Sequence, residues 1–84
     1  MDEFVVYILF SEGYNKTYVG FTSNLIERFK SHNYLSEKGY TIKFRPWKVI
    51  HVEFFTTKSE ALKREKLFKT GKGRELIKEI ISKL

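Results

Sequence analysis

A chain of 84 residues has room for one domain, and at that size only about 60% of the unfolded surface leaves water, so the core must be used efficiently. Hydrophobic residues (42%) and aromatics (17%) supply that core, while the absence of cysteine excludes disulfide staples and thiolate metal sites. A net charge of +6 and a pI near 9.6 fit a polyanionic partner and a lysine-rich solvated surface equally well.

The charge is unevenly spread. Residues 1–27 carry one base (Lys16) against four acids, whereas residues 58–84 carry nine bases against four acids. The longest apolar run, Phe4 to Phe10, is far too short for a transmembrane helix, so the expectation is a soluble cytoplasmic protein with no membrane partner.

That run, Phe4-Val5-Val6-Tyr7-Ile8-Leu9-Phe10, reads as a strand buried on both faces. Gly13 and Asn15 mark a turn, and Thr17-Tyr18-Val19-Gly20-Phe21 is the second arm of a hairpin. Asn24, with Glu27 three residues on, opens a helix over about 25–34. Residues 34–45 are polar, contain Gly39 and read as a surface loop. Pro46 suits the first residue of a strand over about 47–55. Thr57 and Glu60 form a second capping box for a helix to about Lys69. Gly71-Lys72-Gly73 reads as a break, after which Leu76, Ile77, Ile80, Ile81 and Leu84 recur at helical spacing. The order β-β-α-β-α-α describes an α+β domain, a three-stranded antiparallel sheet flanked by helices.

Several residues interrupt the apolar logic. Glu65 falls near the middle of the face formed by Ala61, Leu62 and Phe68. A carboxylate there needs a cation. That cation is a lysine on a neighbouring element or a hard metal ion, since Mg²⁺ takes one or two carboxylates plus waters and phosphate oxygens. Leu25, Phe29 and His32 line one face of the first helix, with Arg28 one turn before His32. An arginine beside a titratable imidazole suits a phosphate, and equally suits a half-buried histidine with a snorkelling arginine. Tyr7 and Tyr18 each need a hydroxyl partner if buried, and Gly20 shares the face of Tyr18, leaving room for close approach of backbone or ligand.

Val5-Val6-Tyr7, then Tyr18-Val19-Gly20, then Thr22-x-Asn24-Leu25-x-x-Arg28-x-x-x-His32, with Ala61-Leu62-Lys63-Arg64-Glu65-Lys66 further on, resembles the GIY-YIG nuclease signature over about residues 4–81. The likeness is to the small stand-alone bacterial group related to the nuclease module of the excision-repair incision subunit. It implies an endonuclease hydrolysing nucleic-acid phosphodiesters, DNA rather than RNA, in repair or recombination. It also implies a catalytic set of Tyr7, Tyr18, Arg28, His32 and Glu65, with Glu65 holding Mg²⁺ or Mn²⁺. Gly20, Lys69, Lys72 and Arg74 are the candidate nucleic-acid contacts.

The chain departs from the pattern in three places. Its first motif lacks the glycine, Phe21 stands where the repair enzymes have lysine, and the last helix offers only Lys78 and Glu79 where relatives carry a polar residue. The alternative is a module of this fold that binds nucleic acid or protein with little or no turnover.

Overall fold

Alternation along the first apolar run organises the whole molecule. The computed structural model describes residues 3–30, 32–33 and 39–84. Strand β1 (Phe4–Ser11) pairs antiparallel with β2 (Lys16–Thr22) and with β3 (Lys48–Phe55), so the sheet order is β2-β1-β3. Covered on both faces, the middle strand is buried from Val5 through Ser11. A continuous apolar run has that consequence. Asn15, at φ 53°, takes the left-handed position in the turn between β1 and β2.

The two faces of β1 enter different clusters. Val6 and Ile8 pack with Val19, Ala61, Phe68 and Ile77 beneath α2 (Lys58–Phe68) and α3 (Gly71–Ser82). Tyr7 and Leu9 pack with Trp47 on the opposite face, where Leu25 and Phe29 of helix α1 (Leu25–Lys30) close over them. The element order is the expected β-β-α-β-α-α, with one short 3₁₀ helix, Tyr40–Phe44, added before β3.

Both expected N-caps form: Asn24 Oδ1 accepts the Glu27 N–H at 3.2 Å and Thr57 Oγ1 accepts the Glu60 N–H at 3.2 Å. Three boundaries differ from the sequence expectation. The regular helix α1 ends at Lys30; residues 31 and 34 of the anticipated span lie outside the described residues. Of the polar stretch read as a loop, residues 34–38 also lie outside them, and the remainder contains the 3₁₀ helix with Thr41 buried. Gly71-Lys72-Gly73 is the first turn of α3 rather than a break. Thr70 caps it by accepting the Gly73 N–H at 3.2 Å, and Gly73 packs so tightly that a Cβ there would collide with the backbone of Leu67 and Phe68. Among the described residues no helix is long and apolar enough to cross a membrane.

Candidate active site

Strand register decides which side chains meet. Tyr7 is opposite Gly20, and Tyr18 is opposite Leu9, so both tyrosines leave the sheet on the face covered by α1. A Cβ at Gly20 would collide with the Tyr7 hydroxyl. The glycine of the second motif is buried and makes room for the first motif's phenol. The missing first glycine has a matching explanation: Val5 is buried opposite Thr22, a strand position that accepts a side chain.

His32 completes an aromatic cluster. Its ring centroid lies 4.7 Å from that of Tyr18 and 5.9 Å from that of Tyr7, and the two tyrosines are 6.4 Å apart. Its Nε2 is 3.0 Å from the Tyr7 hydroxyl and its Nδ1 is 3.0 Å from Thr41 Oγ1. Arg28, exposed on α1, reaches back to both tyrosine hydroxyls.

Burial decides the resting charge states. Tyr7 is 1% exposed and its phenol is pushed above its ordinary range by burial, with Arg28 pulling the other way. His32 is 5% exposed, and burial, with Arg28 and Arg45 nearby, holds its pKa below the usual value of 6.5. At neutral pH the pair is therefore a neutral phenol against a neutral imidazole.

Glu65 arrives from the other side. It belongs to α2, the helix on the Val6 and Ile8 face, and its side chain is 16% exposed. Its charge still reaches the Tyr7 phenol, as the weakest of the influences on it. The cation beside it is Lys69, at 3.4 Å on the same helix rather than on a neighbouring element. Arg64, its neighbour in sequence, turns away to clamp Glu53 at 2.7 Å and 3.1 Å, and His51 Nε2 donates to the same carboxylate at 2.8 Å. Among the described residues no three His, Asp or Glu side chains group as a metal cage.

Of the four sequence-derived nucleic-acid residues, Gly20 is buried in β2 against the Tyr7 hydroxyl and the other three are at the chain's basic end. Lys69 closes α2, and Lys72 and Arg74 are exposed on the first turn of α3. A surface cleft of about 250 Å³ is lined by Thr17, Tyr18 and Val19 on one side and by Lys69 and Arg74 on the other, so it connects Tyr18, but not the buried Tyr7, to that basic surface. Sequence reasoning missed Thr41, Asn33, Arg45 and Trp47. Asn33 exchanges two hydrogen bonds with the Trp47 backbone, Trp47 Nε1 donates to the Thr41 carbonyl at 2.7 Å, and Arg45 Nε donates to the His32 carbonyl at 2.6 Å. The lone tryptophan beside the polar stretch was the one hint, since a buried indole N–H needs an acceptor.

Residues 3–78 match the GIY-YIG catalytic domain. The chain belongs to the GIY-YIG family. It is 35% identical over 80 residues to the UPF0213 protein SSP2268 of Staphylococcus saprophyticus, covering 95% of this chain and 96% of that one. Identity to the UPF0213 protein LMOf2365_0181 of Listeria monocytogenes is 47% over 55 residues, which is 66% of this chain and 62% of the relative. The matched share is 61% for a second Listeria monocytogenes protein and 56% for one from Bacillus velezensis, so the chain spans under two thirds of these relatives.

The solution NMR structure of the UPF0213 protein BH0048 from Bacillus halodurans has the same fold. Its TM-score is 0.56 at 25% identity, over 93% of this chain and 84% of that one. Within the GIY-YIG frame the departure at Phe21 acquires a position. Phe21 is opposite Val6 and packs on the helix-covered cluster, on the opposite face from the tyrosines.

Proposed function

We propose that this GIY-YIG domain is a metal-dependent endonuclease that hydrolyses phosphodiester bonds in nucleic acid, with DNA the preferred substrate and repair or recombination the setting. The observation that carries the reading is the meeting on one face of Tyr7 from β1, Tyr18 from β2, Arg28 from α1 and His32 just beyond it. A purely structural core has no use for a guanidinium aimed at two phenols.

Glu65 fits a hard divalent cation, Mg²⁺ or Mn²⁺. It is a half-buried carboxylate whose neighbouring cation is an exposed lysine free to swing to solvent, and such ions need few protein ligands when phosphate and water supply the rest. The ion, when bound, supplies Lewis-acid polarisation of the phosphate and stabilisation of the leaving oxygen. The chain's own groups supply the remainder. Tyr7 donates its proton to His32 and takes one from the attacking water, directly or through an intervening water. Tyr18 orients the phosphate or that water. Arg28 neutralises the charge that develops on the phosphate oxygens in the transition state. Lys69, Lys72 and Arg74 hold the flanking backbone without reading bases.

The alternative, a binding module with little turnover, is favoured by the 1% exposure of Tyr7, whose hydroxyl meets His32 and Arg28 before it meets solvent. Incubation of purified protein with labelled flap, branched, duplex and single-stranded substrates, in Mg²⁺, Mn²⁺ or EDTA, separates the two. Cleavage that EDTA abolishes supports the enzyme. Salt-sensitive binding with no cleavage of any substrate in either metal leaves the binding module.

A further inference from the structure

We propose that Thr41 is a positioning residue for this site: its hydroxyl accepts the Nδ1–H of His32 and so turns the Nε2 lone pair toward the Tyr7 hydroxyl. The kinetic consequence rests on the nuclease reading above; the proton assignment does not.

The assignment follows from which groups are able to donate. The Tyr7 oxygen already faces the Arg28 guanidinium, which only donates, so the phenolic hydrogen must go elsewhere. Among the described residues the one side-chain acceptor at hydrogen-bond distance is His32 Nε2, at 3.0 Å. A neutral imidazole has one N–H, so with Nε2 accepting the proton resides on Nδ1. Thr41 Oγ1, 3.0 Å away, receives it. The reverse arrangement, with Thr41 donating to Nδ1 and Nε2–H donating to Tyr7, leaves a buried phenolic hydrogen with no side-chain acceptor among the described residues, a costly state.

Thr41 is built to hold this place. It is 6% exposed in the 3₁₀ helix Tyr40–Phe44, and its carbonyl is tied to the Trp47 indole at 2.7 Å. The His32 carbonyl is tied to Arg45 Nε at 2.6 Å, and Asn33 is bonded to both polar groups of the Trp47 backbone. Both ends of the Thr41–His32 contact are thus pinned through their main chains, leaving the hydroxyl and the ring little freedom to separate. Asn33, Thr41, Arg45 and Trp47 together act as a clasp that holds one imidazole in one orientation.

Histidine tautomers are read directly by long-range ¹H–¹⁵N correlation on the full chain with labelled histidine, at neutral pH and without substrate. The chain has two histidines, and His51→Gln assigns the signals. The expected result is a protonated Nδ1 and an unprotonated Nε2 at His32. Thr41→Val, which keeps the shape and removes the hydroxyl, is expected to shift the population toward Nε2–H. It should also lower turnover about tenfold to a hundredfold, as loss of a partner orienting a functional histidine does elsewhere, with nucleic-acid affinity within about twofold of the parent. Thr41→Ser, which keeps the hydroxyl, is expected to retain the tautomer and most of the rate.

An Nε2–H tautomer in the unmodified protein overturns the proposal, as does an unchanged tautomer in Thr41→Val. If the parent protein cleaves nothing, the nuclease reading falls while the tautomer spectrum still decides the role of Thr41.

Discussion

The two faces of strand β1 solve the same problem of burial with opposite materials. Beneath α2 and α3 the filling is Val6, Ile8, Val19, Ala61, Phe68 and Ile77, which carry no polar side-chain atom. Beneath α1 and the clasp it includes Tyr7, His32, Asn33, Thr41 and Trp47, each with a named hydrogen-bond partner. The first face gains most of its stability from apolar area and carries charge only in pairs, Glu53 with Arg64 and Glu65 with Lys69. The second offsets the desolvation of polar groups by satisfying them, which fixes their geometry. One face is held by apolar area and the other by paired polar groups, and substitutions on the two should therefore fail in different ways.

The largest effect is expected on the helix-covered face. Phe68 is 2% exposed, meets His51 edge-to-face, lies beneath Arg64 and packs on the sheet. Phe68→Ala is expected to cost about 3–5 kcal/mol of folding free energy, read from urea or thermal unfolding. A loss under about 1 kcal/mol would mean this face is not the main source of stability, and the contrast would collapse.

Arg28→Ala probes the other face. Because Arg28 is exposed, its removal should change stability by under about 0.5 kcal/mol. Losing a charge that acts in the transition state should cost on the order of 3 kcal/mol of barrier, roughly a hundredfold in rate, in single-turnover cleavage. A variant that melts early but cleaves normally would assign Arg28 to stability and break the comparison from the other side.

How much of this was legible depended on whether a residue violated a local pattern. Tyr7 in an apolar strand, Glu65 in an apolar helix face, and Arg28 one turn from His32 all stood out, and the strands followed from β-rich apolar runs. Thr41 did not stand out, because a threonine in a polar stretch violates nothing; its carbonyl is held by the Trp47 indole, and Trp47 is in turn fixed by Asn33 across a separation of 14 residues. The start of α3 was misread because glycine usually ends helices, whereas Gly73 is needed for close contact between α3 and the end of α2. The partner of Glu65 was also beyond local reading. Sequence neighbours offered three cations, but helix geometry gave Arg64 to Glu53 and left Lys69 at i+4.

A smaller effect is expected from the basic end. Lys72 and Arg74 are exposed, and Lys69 is part-neutralised by Glu65 at 3.4 Å. Replacing all three by glutamine should reduce the slope of log affinity against log salt by as much as about 3, equally for all sequences. An unchanged slope would move the nucleic-acid footprint to another surface, with the cleft beside Tyr18 no longer on its path.

The smallest effect separates the two faces by pH. His32, on the tyrosine face, has a folded pKa below its ordinary 6.5, with burial as the main cause. The unfolded chain therefore takes up that proton first, so the contribution of the neutral ring is complete above about 6.5 and is lost as pH falls toward the folded value. Glu53, on the helix-covered face, has a folded pKa below its ordinary 4.5, with the Arg64 hydrogen bonds as the main opponent of burial. Its contribution is complete above about 4.5 and is lost as pH falls through the folded value. Unfolding midpoints measured from pH 8 to pH 3 should therefore descend in two stages. His32→Gln is expected to flatten the upper stage and leave the lower one, and Glu53→Gln to do the reverse. The upper stage is small because a single buried imidazole drives it, and it is also where the clasp is tested, since burial is the main reason the ring resists protonation. An upper stage that survives His32→Gln would mean that the ring is solvated in solution, and the polar face would then lack the rigidity that its hydrogen bonds imply.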